Sequence, residues 1–346
     1  MLARVPRLAR LDFPHTRVFP TLREIRANGV FAYGHLVSRF STSRAALPAL
    51  SKYTNTRTET CRRLASYVPR ASRVAPHSAP RHRRARAMAD VETDLRARWR
   101  AATSAETPYA RVVFDTALAR AVRDHDNWRA LSEAAVRDDG DIDESFRVAF
   151  KRYFVTDYVF VEDFIDLLAR ALASAPTFAI KARLGAFLNQ LLEGEATLFR
   201  DSLRALWNID ADDAASVRAI GDDDVATAMS TFLRRVAEDG DWLSRVAVVA
   251  VAEGLYLSWG LRVVDDDVRK VASGLVDRAS AERALYAKWV WPLHSSEEFQ
   301  RAVCAFVEAF NDAWRDADDD SKTRCEAVVR EMLDLERAFT ELLSSS

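Results

Sequence analysis

From about Val91 to the C-terminus, large apolar residues recur at helical spacing, with polar residues filling the opposite faces. The pattern predicts helices over 91–103, 109–123, 143–173, 177–207, 223–238, 242–264, 279–290, 296–315 and 319–343. No convincing period-two alternation interrupts them. Start signals agree with this reading. Asp143 or Ser145 can cap the helix entering "FRVAFKRYF". Ser295 or Ser296 can cap a first turn that already carries Glu297 and Glu298. Gly240 and Pro292 mark breaks. The expectation is an all-α bundle with a core of phenylalanine, tryptophan and leucine. No run of 20 residues is free of charge, so no membrane span and no membrane partner is expected.

Charge divides the chain. Residues 1–89 hold 18 Lys and Arg against 3 Asp and Glu, while the rest holds 32 against 48. The net charge of −1 thus hides segments of +15 and −16. The first segment is rich in Arg, Ser and Ala and carries seven of the ten prolines. That is the composition of a mitochondrial or plastid transit peptide, without the apolar core of a secretory signal. Residues 1–89 are therefore expected to be a disordered import leader, and 90–346 the helical domain. A start at Met88 in "RARAMADVETD" is the alternative, and implies a cytosolic protein. A nucleic-acid-binding arm is a third reading. The basic runs lack interleaved aromatic residues and glycines, which argues against a nucleic-acid partner.

Cysteine and histidine exclude several chemistries. Cys61 lies in the leader, and Cys304 and Cys325 lie in helical stretches with no CxxC pair. They read as packed thiols in a reducing compartment. The helical domain has only His125 and His294, and neither follows a glutamate by three residues, as a di-iron bundle requires. No haem crevice motif and no Gly-rich phosphate loop is present. No metal and no cofactor is expected.

Acid on apolar faces remains. Asp157 shares a helical face with Tyr153, Phe154, Phe160 and Val161. Glu253 is the only charge between Arg245 and Arg262 in "RVAVVAVAEGLYLSWGLR", a segment apolar on all sides and hence buried. Glu336 sits on a stripe with Met332, Leu333, Phe339 and Leu343. A buried carboxylate is costly unless it is paired or protonated. One such residue is explained by an internal Arg, Tyr or Trp partner. Three on separate helices point to a polar pocket in the core.

In order and content these segments resemble the TenA family, the thiamin-salvage hydrolases with a haem-oxygenase-like helical fold. The likeness runs from about Trp128 to Leu343. It is carried by "FKRYFVTDYVFVEDFIDLLARALASAP", "FLRRVAEDGDWLSRVAVVAVAEGLYLSWG", "YAKWVWPLHSSEEFQ" and "LERAF". The resemblance implies that Asp157 holds an amino-pyrimidine by its ring nitrogen and exocyclic amine, and that Glu336 transfers protons. It further implies that Phe160 and Phe339 are aromatic walls. Glu253 falls where the better-known branch has its cysteine nucleophile. Its presence, with Tyr256 following and Phe160 in place of tyrosine, resembles the branch that works without the thiolate. That branch deformylates formylaminomethyl-pyrimidine and converts aminomethyl-pyrimidine to hydroxymethyl-pyrimidine.

The match has departures. Met229 replaces a ring-stacking tyrosine, and another pocket tyrosine aligns with Leu293 or His294. His294 is a loop or cap residue, or, if it faces the pocket, a substrate-binding one. Residues 265–278 form an added helix beyond the usual family length. Two classes follow: a hydrolase in which Glu253 or Glu336 activates water, and a non-catalytic pyrimidine binder or scaffold that retained the pocket. The resemblance implies a homodimer or homotetramer.

Overall fold

The computed structural model describes residues 81–276 and 279–344. The leader expected over 1–89 lies outside the described residues up to position 80. Helix α1, Arg81–Ala102, begins upstream of the expected position 91. All regular structure among the described residues is helical.

The expected 109–123 helix is divided. A wide π turn at Ala110–Phe114 ends at Asp115, and Thr116 caps a fresh helix α2, Ala117–Arg123, by accepting from the Ala119 N–H. Helix α3, Asn127–Val136, was not expected from the pattern, yet it buries Trp128 and Leu131 completely. Helix α4, Glu144–Ser174, is capped by Asp143, whose carboxylate accepts from Ser145 N–H. The expected 177–207 helix is α5, Phe178–Gln190, then a π turn at Leu191–Glu195, then α6, Ala196–Trp207. A short α7, Ala214–Arg218, leads to α8, Asp223–Asp239, and α9, Trp242–Val263. The added segment forms α10, Asp266–Ala272. The chain ends with α11, Ala281–Lys288, a kinked π turn at Trp289–Leu293, α12, Glu297–Asp316, and α13, Asp319–Glu341. Ser296, not Ser295, caps α12; the Ser295 hydroxyl donates to Val290 O at 2.8 Å.

Helix α9 is the axis of the bundle. It packs against α12, α13, α4 and α2, and its valines and alanines let those helices close in on all sides. It is long and apolar enough to cross a membrane by length and composition, with 67 % of its most apolar window buried inside the bundle. Two glycines of α9 are needed for close approach. A Cβ on Gly254 would lie 2.1 Å from the Tyr109 hydroxyl, which donates to Ala250 O at 3.0 Å. A Cβ on Gly260 would lie 2.3 Å from the backbone oxygen of His294. The second contact fixes how near the 289–296 segment runs to α9. Gly260→Ala is therefore expected to cost about 1–3 kcal/mol, as overpacking does, and to push His294 out of position. Denaturant unfolding measures the first effect; an unchanged midpoint would show that the backbone yields freely there.

Asn311 ties the N-terminal elements to α12. Its amide donates to Ala102 O at 3.2 Å and its oxygen accepts from Tyr109 N at 2.8 Å. Cys304 and Cys325 are buried, and burial pushes their thiols up to about 11 and about 12. They are packing residues with little thiolate character.

Candidate active site

Beside α9 the helices leave a partly open cavity. Along α4, Asp157, Phe160, Val161 and Phe164 face it at i, i+3, i+4 and i+7. The same face looks different nearer its start. Tyr153 and Phe154 pack into aromatic neighbours, Tyr153 on Phe339 at 4.4 Å and Phe154 against Phe199 and Trp289. Helix α9 contributes Glu253 and Tyr256, one turn apart, and α13 contributes Met332 and Glu336. Met229 of α8 closes another side. The cavity has a volume of about 60 Å³, enough for several waters at roughly 10–15 Å³ each.

Asp157, Glu253 and Glu336 thus converge from three helices. A fourth carboxylate joins them from Glu195, at the end of the π turn that joins α5 to α6. Among the 18 lining residues there is no Lys and no Arg. None of the four acids has a hydrogen-bond or ion-pair partner among the described residues, and Glu336 Oε2 is buried and unpartnered. Glu336 is 3 % exposed and Glu253 9 %, while Asp157 and Glu195 are partly exposed.

Burial without a cation makes all four weak acids. Burial alone raises Glu195 to about 7 and Glu336 to about 8. Asp157 is driven well above the usual carboxylate range, first by burial and then by the charges of Glu195 and Glu336. Glu253 is driven up by burial, then by Glu195, Glu336 and Asp157. Burial thus favours the protonated form of all four acids. No group of three His, Cys, Asp or Glu side chains among the described residues is placed to hold a metal ion.

These shifts have a consequence for stability. A carboxyl whose pKa rises on folding holds more protons in the folded state. Its contribution is complete below the unfolded value near 4.5 and is lost as pH climbs to about 8 for Glu336. The wild type should lose stability relative to Glu336→Gln across that window, by on the order of 1.4 kcal/mol per pH unit. Urea unfolding of both proteins from pH 5 to pH 8 reads this difference. Parallel curves would mean that Glu336 titrates normally.

The other expected site residues are placed as follows. Phe160 lines the cavity. Phe339 is not among the lining residues; it is 1 % exposed, stacked on Tyr153 and edge-on to Phe160 at 5.3 Å. It supports the wall instead of forming it. The Tyr256 hydroxyl meets that of Tyr153 at 2.8 Å. His294 lines the cavity together with Leu293. Its Nδ1–H donates to Trp289 O at 2.6 Å, and burial lowers the ring to about 3. The imidazole is thus neutral, with Nε2 left as an acceptor.

Residues 145–342 match the TENA/THI-4/PQQC family. The search of curated protein sequences gave no significant match. Three solved structures are similar in fold. One is a TenA homologue from Pseudomonas syringae pv. tomato, at 14 % identity and TM-score 0.50, covering 70 % of this chain and 94 % of that one. A second, described as a TenA family transcription regulator from Silicibacter sp., has 20 % identity and TM-score 0.49, covering 66 % and 92 %. A TenA homologue from Pyrococcus furiosus has 19 % identity and TM-score 0.48, covering 66 % and 94 %. The family match spans more than half of the sequence and includes every residue that lines the cavity, so this chain belongs to the TENA/THI-4/PQQC family, with its all-α, haem-oxygenase-like fold.

Proposed function

We propose that this protein is a hydrolase of thiamin salvage that removes the aminomethyl nitrogen from an amino-pyrimidine without a cysteine nucleophile. The family includes thiaminase II hydrolases, which supports hydrolysis in general. The observation that carries the finer reading is the convergence of Glu253 and Glu336 on one cavity that also holds Asp157. No cysteine lines that cavity.

In this reading Asp157 grips the ring edge, where a carboxyl group can serve a ring nitrogen and an exocyclic amine side by side. Glu336, raised by burial alone, is the more easily ionised of the glutamate pair and takes a proton from water. Glu253, raised further by three neighbouring acids, remains protonated and keeps the departing nitrogen fully protonated. The reaction is R–CH2–NH3⁺ + H2O giving R–CH2–OH + NH4⁺. The C–N bond breaks with its electron pair going to nitrogen, and the new C–O bond comes from water. The same pair suits deformylation of the formylaminomethyl compound, R–CH2–NH–CHO + H2O giving R–CH2–NH2 + HCOOH. There Glu253 protonates the leaving amide nitrogen. Phe160 and Met229 bound the ring, and Tyr256 and His294 add polar contacts at its edge.

Incubating the purified chain with aminomethyl- and formylaminomethyl-pyrimidine and separating the products by liquid chromatography tests this. Hydroxymethyl-pyrimidine and ammonia are the expected products. Tight binding without product would make the protein a pyrimidine-binding module.

A further inference from the structure

Glu195 has no role in the reaction as described, yet it lines the same cavity. It arrives there by a local irregularity. Leu191–Glu195 is a wide π turn between α5 and α6, which turns Leu191 and Glu195 together onto the cavity. Such turns often mark functional positions. Glu195 is also close enough to act on the others: its charge is the largest neighbouring influence on both Asp157 and Glu253.

The cavity as a whole has a charge deficit. Four carboxyl groups face one another with no cation on the wall, and two of them, Glu253 and Glu336, are more than nine-tenths buried and unpartnered. Unpaired buried acids of this type await a donor-rich or cationic guest. Asp157 is taken by the ring edge, and Glu253 and Glu336 by proton transfer. The ammonium of the aminomethyl arm then lacks a counter-ion unless Glu195 supplies it.

We propose that Glu195 is the counter-ion of the substrate's protonated amine, and that it makes the site select a cationic aminomethyl-pyrimidine over the neutral formyl and hydroxymethyl forms of the same ring. The inference rests on the function proposed above. It accounts for release of the pyrimidine as well: hydrolysis replaces its ammonium by a neutral hydroxyl, so the ion pair passes to the free NH4⁺ and no longer holds the ring. Burial raises Glu195 to about 7, a range in which a neighbouring ammonium can draw it into its ionised form. The groups facing it across the cavity are Asp157 from α4, Glu253 and Tyr256 from α9, neutral His294, and Glu336 from α13.

Calorimetric titration of the full chain with three pyrimidines tests the proposal: aminomethyl, hydroxymethyl and formylaminomethyl. The wild type should bind the amine at least about tenfold more tightly than either neutral compound, the range of a charge-assisted contact. Glu195→Gln should erase that preference while changing the neutral affinities less than about twofold. Glu195→Asp should restore part of it. A wild type that binds hydroxymethyl-pyrimidine as tightly as the amine overturns the proposal without need of any variant. Equal loss on all three compounds in a folded Glu195→Gln overturns it too, because that is a structural effect. Benzylamine and benzyl alcohol separate this inference from the function itself. If no pyrimidine binds but benzylamine does, and Glu195→Gln abolishes it, the counter-ion role stands and the pyrimidine reading falls. If the pyrimidines bind without regard to charge, the pyrimidine reading stands and the counter-ion role falls.

Discussion

Glu253→Gln is expected to lower turnover of the amino-pyrimidine by about 10²–10⁴-fold, the range of a lost general acid or base, with substrate affinity almost unchanged. Glutamine fills the same volume on α9 but has no acidic proton. The leaving nitrogen then has no carboxylic acid beside it to donate a proton or hydrogen bond as the C–N bond breaks. The rate–pH profile sharpens the test. In the wild type the rate should rise as the base ionises and fall as the acid loses its proton, giving a bell with two apparent pKa values that belong to the pair. The limbs follow the directions of the shifts. Glu336 is raised to about 8, and Glu253 is pushed up further by burial and by Glu195, Glu336 and Asp157. Bound cationic substrate draws both down. Glu253→Gln should remove the alkaline limb, and Glu336→Gln the acid limb. Near-normal turnover in Glu253→Gln would make Glu253 a core residue and end the pair mechanism.

Sequence alone made some of this site readable because helical periodicity is unforgiving. Asp157, Glu253 and Glu336 stand on faces where every neighbour at i±3 and i±4 is apolar or small, so each carboxyl had to point inward. Helix α9 was legible for the same reason: Glu253 interrupts a segment buried on all sides. Glu195 was not legible. It sits in "LLEGEATLF" beside Glu193 and Gly194, which reads as a solvated helix surface. Its inward direction depends on the π turn, which adds a residue and rotates the following face by about 100° at 3.6 residues per turn. Phe339 shows the opposite failure. Its stripe faces the core, but Tyr153 and Phe160 stand in front of it. Helix α3 escaped notice because the charged runs "RDHD" and "RDDGD" flank a short segment, and its Trp128 is stacked on Trp259 at 4.3 Å, a contact that no local pattern encodes.

Asp157→Asn should weaken amino-pyrimidine binding by about tenfold, roughly 1.4 kcal/mol, while leaving the fold intact or stabilised. Two effects act in opposite senses. Burial, and then the charges of Glu195 and Glu336, push the Asp157 carboxyl well above the usual carboxylate range and so favour its protonated form. When the ring binds, the carboxyl can pass its proton to the ring nitrogen and become a carboxylate that accepts from both ring-edge donors. That contact is charge-assisted and about twice as strong as a neutral one. Asparagine can still offer a neutral ring one donor and one acceptor, so the loss is limited to about tenfold and is not complete. On the stability side, the substitution removes a group that favours folding only while it is protonated. Below the ordinary carboxylate range the variant and the wild type should therefore unfold alike. As pH rises, the wild type must either keep an unwelcome proton or bury a charge among three other acids, and the variant should become the more stable of the two. Calorimetric titration at pH 7 and urea unfolding from pH 5 to pH 8 measure the two effects on the same protein samples. A strongly destabilised Asp157→Asn that binds the ring as the wild type does would make Asp157 a structural partner of the bundle and would leave the pyrimidine edge to another residue of the cavity.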